Sequence, residues 1–132
     1  MLNDKVKIRE LKSYGDERGF LTKIFNYLDL KDKSIYDIYA TYTKGRQSRA
    51  DHYHKKTTEW FCLLKGRIML KLTDIKTKEE LEIELSDKKI TVVEIPPWIN
   101  HSVISHTSDE AILLAFGNQP YTKEDPDTYT MD

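Results

Sequence analysis

Arg49-Ala50-Asp51-His52-Tyr53-His54-Lys55-Lys56-Thr57-Thr58-Glu59-Trp60 is the stretch on which the reading of this chain turns. Residues i and i+2 of a strand point to the same face. The spacing therefore predicts that His52 and His54 aim two imidazoles into one space. Glu59 joins them if the chain turns or runs on into the next strand. Two imidazoles and a carboxylate suit either a metal ion or a proton transfer. The residues alone leave both open.

Working outward, the flanking sequence reads as a succession of short strands. On the N-terminal side, an edge strand is expected around Val6 to Leu11. Tyr14 to Gly19 is a turn with two glycines flanking charges, and Phe20 to Phe25 is a strand. A polar loop is expected over 28–34. Ile35 to Tyr42, rich in aromatic and branched residues, is a strand, ended by Thr43-Lys44-Gly45. On the C-terminal side, Trp60 to Leu64 and Arg67 to Thr73 flank Lys65-Gly66, which predicts a hairpin. Ile68, Leu70 and Leu72 alternate with polar residues. Leu81, Ile83 and Leu85 do so more clearly, so that arm reads as a half-exposed strand. Ile90 to Ile95 follows, then a break at Pro96-Pro97-Trp98-Ile99-Asn100, a strand from His101 to Ile104, and a last apolar strand from Ala111 to Phe116. The tail from Asn118 is polar and is expected to wrap the surface. No stretch carries a long helical period, so the expected class is all-β, a double-sheet roll or barrel.

Composition narrows the rest. The chain has 132 residues, enough for one domain (1–132) with a real core. A third of the residues are charged, with a net charge of -1 and both signs mixed along the chain. That argues against a nucleic-acid-binding face. The single cysteine, Cys62, sits in the apolar run Trp60 to Leu64 and reads as a buried free thiol. No apolar run is long enough for a membrane span, and no signal-peptide pattern opens the chain. The expected location is cytoplasmic.

The longer spacing carries more. His52-x-His54, Glu59 and Gly66 are followed much later by Pro96-x-Trp98-x-x-His101. This resembles the two signature motifs of the cupin superfamily, with Trp98 standing where glycine is usual. The resemblance implies a cupin-type β-roll (a jelly-roll barrel) in which these four side chains converge. Asp16-Glu17-Arg18-Gly19-Phe20-Leu21 looks like the opening of the dTDP-4-keto-6-deoxyhexose 3,5-epimerases. Thr43-Lys44-Gly45, Arg49 and His54-Lys55-Lys56 look like the dTDP-sugar 3,4-ketoisomerases. His52-Tyr53-His54, Glu59-x-Phe61-Cys62, Lys65-Gly66, His101 and the tail Asp125-Pro126-Asp127-Thr128-Tyr129 resemble most the C-terminal cupin domain of capsular-polysaccharide enzymes that reduce and epimerise UDP-sugars.

That resemblance implies a nucleotide-sugar epimerase acting at C3 beside a 4-keto group in surface-polysaccharide biosynthesis, on a dTDP- or UDP-linked sugar. A 3,4-ketoisomerase is the nearest alternative; a metal-dependent cupin oxygenase and a non-catalytic sugar-binding cupin are the others. His52 and His54 are the expected catalytic residues. His52, His54, Glu59 and His101 are the expected metal ligands, with zinc as the first choice. Arg18, Arg46 and Arg49 are expected to bind the substrate diphosphate. The non-metal epimerases use a late-strand tyrosine as acid; Phe116 occupies that region here, leaving Tyr42, Tyr53 and Tyr121 as substitutes. Tyr36, Tyr39 and Tyr42 read otherwise as packing residues, and His106 as a surface residue. The same resemblance implies a homodimer.

Overall fold

The computed structural model describes residues 1–26, 29 and 33–131. Among them a short helix α1 (Leu2–Lys5) precedes eleven strands. These are β1 (Lys7–Glu10), β2 (Ser13–Asp16), β3 (Gly19–Thr22), β4 (Asp37–Thr43), β5 (Ser48–His52), β6 (Glu59–Lys65), β7 (Arg67–Asp74), β8 (Glu80–Ser86), β9 (Thr91–Ile95), β10 (Ile99–Ser105) and β11 (Ala111–Gly117). They build a five-stranded sheet in the order β1-β9-β6-β11-β4 and a four-stranded sheet in the order β5-β10-β7-β8. Every strand pair is antiparallel. This is the expected all-β cupin roll.

The alternation seen in the sequence becomes the inner face of the roll. Ile68, Leu70 and Leu72 are fully buried, and Leu81, Ile83 and Leu85 pack against them from β8. Phe61, Leu63, Val93, Ile95, Val103 and Leu113 close the same core from both sheets. β6 is buried on its other face too. Trp60 and Cys62 there meet Ile90, Val92 and Phe116, with Phe25 edge-on to Trp60 and Phe116. A strand buried on both faces explains why Trp60 to Leu63 is unbroken apolar sequence rather than an alternating one. Burial pushes the Cys62 thiol up to about 11, so it stays protonated.

Several expectations change. β6 and β7 do not form a hairpin, because they lie in opposite sheets. Gly66 carries the chain around the corner between them at φ +94, where a Cβ would stand 3.0 Å from the Ala111 Cα. The true hairpin is β7 to β8. The turn expected at Tyr14 to Gly19 is itself a hairpin, with β2 pairing β3, so the strand expected to reach Phe25 ends at Thr22. α1 is unannounced by any helical period; its Leu2 is buried, and Lys5 Nζ donates to the buried Asp74 carboxylate at 2.6 Å. The break at Pro96 is shorter than expected, and β10 already begins at Ile99. The polar connection expected over 28–34 lies largely outside the described residues.

Candidate functional site

The structure brings His52, His54, Glu59 and His101 together, by a different route from simple alternation. β5 ends at His52, and His54 lies beyond it. Along β5 and β10, His52 faces His101 and Ala50 faces Ser102, so Asp51 is an extra residue with no counterpart. Ala50 and Asp51 sit at φ 68 and 65, the left-handed region that side chains adopt at a cost. A bulge of this kind bends the strand and re-aims its side chains. Here it leaves His52 inside the roll while Asp51 turns outward.

His54 is held by the C-terminal tail. Tyr53 and Tyr129 exchange two backbone hydrogen bonds of 2.8 and 3.0 Å. His54 Nδ1 donates to the Asp127 carbonyl at 2.6 Å. The Asp127 carboxylate accepts from the amides of Lys55, Lys56 and Thr57 and from the Thr57 hydroxyl. Burial opposes its ionisation, but these donors outweigh burial and hold the carboxyl below its usual range. The tail thus does more than wrap the surface. Asp127 is buried and fixes the loop that aims His54.

Glu59, almost fully buried at the start of β6, is the hub. Its Oε1 lies 2.8 Å from His54 Nε2 and 3.1 Å from His101 Nε2, and its Oε2 accepts from the Tyr39 hydroxyl at 2.7 Å. His101 Nδ1 donates to the Ile99 carbonyl at 3.2 Å. Its Nε2, though close to Glu59, is not aligned with it and is buried without a hydrogen-bond partner. Ligand atoms of His52, His54, Glu59 and His101 all lie within 4.8 Å of one another.

The tautomers follow from these contacts. A backbone carbonyl can only accept, so each Nδ1 of His54 and His101 carries a proton. In the neutral rings both Nε2 lone-pair atoms then lie within 3.1 Å of the Glu59 carboxylate, itself an acceptor. Three electron-rich atoms around one point need protons or a cation between them. An Nδ1–H held by a carbonyl with Nε2 left free is also the usual arrangement of a metal-binding imidazole. The donor set therefore fits a divalent metal such as zinc.

The electrostatics separate the two histidines. Burial and the neighbouring His101 and His54 lower the His52 pKa to about 4. Burial also acts to lower His54, but its hydrogen bonds to Glu59 and the Asp127 carbonyl outweigh that and raise it above 6.5. Burial of Glu59 favours its neutral form, yet its contacts with His101 and His54 win and keep it ionised. Burial, with the Glu59 charge beside it, pushes the Tyr39 hydroxyl up, so it is a donor.

Two small cavities open on the cluster. One of about 230 Å³ is lined by Tyr39, His52, His54, Glu59, Tyr121 and Asp127. A second of about 130 Å³ shares Tyr39 and His52 and adds Arg49, Phe61 and Val103. Arg49 is thus at the site. Arg18 is at the tip of the β2–β3 hairpin, strongly exposed and paired with Asp16. Arg46, at the β4–β5 turn, reaches the His106 carbonyl. Neither lines these cavities within one chain. Trp98 stacks with Tyr53 and takes the Lys55 and Lys76 ammonium groups against its ring. Sequence reasoning missed Tyr39 and Asp127. For Tyr39 the available signal was its odd-numbered place in β4, whose residues 37, 39, 41 and 43 are the less exposed ones.

A family model described as the polysaccharide biosynthesis C-terminal domain matches residues 14–129, nearly the whole chain. This chain belongs to that family. A UDP-2-acetamido-2,6-beta-L-arabino-hexul-4-ose reductase of Pseudomonas aeruginosa is 27% identical over 91% of the chain, which spans 31% of that relative. A 3-hydroxyanthranilate 3,4-dioxygenase of Brucella anthropi is 30% identical over 74% of the chain, which spans 52% of it. The chain thus covers about a third and about half of the curated relatives it matches. A sugar 3,4-ketoisomerase from Thermoanaerobacterium thermosaccharolyticum, solved with TDP, has 25% identity and a TM-score of 0.78, covering 96% of this chain and 88% of that one. A dTDP-6-deoxy-D-glucose-3,5-epimerase from Legionella pneumophila, solved with dTDP-4-keto-L-rhamnose, has 20% identity and a TM-score of 0.84 over 97% and 73%. Its identity makes it a likeness of fold alone. No helix among the described residues is long and apolar enough to cross a membrane.

Proposed function

We propose that the domain is a sugar-nucleotide epimerase that exchanges the C3 proton of a dTDP- or UDP-linked 4-keto sugar, in surface-polysaccharide biosynthesis. One observation carries the reading. A neutral imidazole, His52, borders both cavities beside a His54–Glu59–His101 cluster, the ligand atoms of all four lying within 4.8 Å of one another.

His52 has a depressed pKa and is neutral at pH 7, so it can accept a proton. The proton of C3 is acidified by the adjacent ketone. His52 takes it; the C–H electron pair becomes a C3=C4 double bond and the negative charge moves to O4. Return of a proton to the opposite face of C3 inverts that centre and restores the ketone. His54, Glu59 and His101 are the residues that would hold a metal, with His52 completing the set when it is not acting as base. Zinc, when bound, would supply positive charge for the developing enolate oxygen. Support for Tyr121 as the returning acid is that it lines the cavity. Tyr42 is exposed on β4, and Tyr53 stacks between Trp98 and Tyr129. Arg49 at the second cavity supports a diphosphate contact. Arg18 and Arg46 would meet the substrate only at a surface shared with a second copy. The exposed Tyr14, Phe20 and Leu21 of the hairpin and Ile38 and Tyr42 of β4 support such a homodimer.

Ketoisomerisation is the second reading, favoured by the ketoisomerase relative, most of whose length this chain covers. It shares the enolate; the proton returns to C4 instead of C3, while the O3 hydroxyl gives up its proton to become the new ketone and O4 takes one to become a hydroxyl. The test is to incubate zinc-loaded protein with dTDP- and UDP-4-keto sugars in heavy water and follow C3 by NMR. Deuterium at C3 with a C3 epimer is expected. A 3-keto product selects the second reading, and no exchange with any 4-keto sugar overturns both. Oxygen uptake with a small aromatic substrate would instead mark an oxygenase.

A further inference from the structure

A cavity larger than either one at the histidine cluster lies elsewhere. It is a groove of about 810 Å³ on the outer face of the four-stranded sheet, lined by polar residues of β5, β7 and β10 and by Thr130 and Met131 of the tail. We propose that this groove is a second binding site, separate from the histidine cluster, for a neutral hydroxyl-rich ligand, a sugar unit.

Its floor is built around an unmet need. Asn100 is 2% exposed, and its Nδ2 donates to Asp51 Oδ1 at 3.0 Å. That contact fixes the amide orientation, since a carboxylate cannot donate. The other end, Oδ1, is buried without a partner. A buried acceptor left unmet is costly, so such groups are usually paired. Asp51 is the extra residue of the β5 bulge, at φ 65. Its Oδ1 also accepts from the Ser102 hydroxyl at 3.0 Å. Among the described residues its Oδ2 has no hydrogen-bond partner. A strained residue, Asp51, with one open carboxylate oxygen thus lines the groove over the buried Asn100 amide, next to the Thr73 hydroxyl and the Lys71 ammonium group.

The chemistry selects the ligand class. An anion such as phosphate would bring its charge against Asp51 and Glu80. A metal cation would meet Lys71 and Lys78. An apolar segment would cover the Asp51 carboxylate without meeting its Oδ2. Sugar hydroxyls donate to Asp51 and accept from Lys71, and Ile75, Ile104 and Met131 offer apolar surface to a ring face. Asn100 and Ser102 alternate with His101 along β10, so the groove and the metal-type cluster lie on opposite faces of one sheet. The inference is therefore independent of the proposed epimerase activity.

The test is an NMR titration of the full 15N-labelled chain with N-acetylglucosamine, galactose and glucose into the high millimolar range. Saturating shifts of the Ser48, Asp51, Asn100 and Ser102 amides are expected with at least one sugar, unchanged in His52→Ala. Ser102→Ala and Lys71→Ala should each weaken binding about tenfold, the effect of one lost hydrogen bond. Both replace accessible side chains, so the test does not depend on a core variant such as Asn100→Asp folding. No saturating shift at these amides with any of the three sugars overturns the proposal. So do shifts that depend on protein concentration without sugar, which would make the groove a contact between copies.

Discussion

Glu59→Gln removes one negative charge from the cluster and keeps its shape. In the metal-free protein this should change how stability depends on pH. His54 has a folded pKa raised above 6.5, so its contribution is fully present below pH 6.5 and is lost as pH rises through the raised value. Glu59 has a lowered folded pKa, so its contribution is present above pH 4.5 and lost only in strong acid. His52 runs the other way from His54: with a folded pKa near 4, its contribution is present above 6.5 and lost as pH falls toward 4. Above pH 6.5 the loss of the His54 proton removes its contribution. A buried charge-assisted hydrogen bond such as His54–Glu59 contributes about 1.5–3 kcal/mol. Wild type stripped with a chelator should therefore lose on the order of 2 kcal/mol in urea unfolding as pH rises above 6.5 and His54 deprotonates, and Glu59→Gln should have a clearly shallower slope. Zinc at 100 times its Kd should add about 2.7 kcal/mol to the wild type and much less to the variant. Equal slopes in wild type and Glu59→Gln without metal would refute the assignment of Glu59 as the partner that charges His54.

Three further outcomes are expected. His52→Ala should lower C3 deuterium exchange about 10²–10⁴-fold, the usual worth of a general base, while zinc content measured by mass spectrometry is largely kept; undiminished exchange would remove His52 from the reaction. Asp127→Ala frees the amides of Lys55, Lys56 and Thr57 and the Thr57 hydroxyl, at a cost on the order of 2 kcal/mol, and should expose the tail beyond Asn118 to limited proteolysis; wild-type protease resistance would show that the tail is held by other contacts. Gly66→Ala places a Cβ 3.0 Å from Ala111 at φ +94 and should lower stability by roughly 1–2 kcal/mol, read from the urea midpoint; an unchanged midpoint would mean the corner relaxes freely.

The alternating arms 67–73 and 80–86 and the doubly buried run from Trp60 were legible in the sequence because period-2 burial is a local property. So were the ligand types, since His52, His54, Glu59 and His101 sit at motif spacings that survive any detail of packing. What failed was connectivity across space. Lys65-Gly66 has the look of a hairpin, but which sheet receives β7 is decided by the core that Ile68, Leu70 and Leu72 must fill, far from the turn. Tyr39 read as packing because its role depends on the register of β4 against β11, which sets it beside Glu59. Asp127 read as part of a polar tail because its partners, Lys55 to Thr57, are some seventy residues away.

The opening stretch shows the division most clearly. The sequence by itself determined that two imidazoles and a carboxylate would be available at close spacing. It could not determine how they meet. A regular strand through His54 would have used plain alternation, whereas the protein ends β5 at His52, bulges at Asp51 and clamps His54 with the tail. Bulges and clamps are set by long-range hydrogen bonds, which bring together residues that no local pattern couples. Only the folded chain, therefore, decides that His52 is the neutral imidazole at the cavity and His54 the one charged by Glu59.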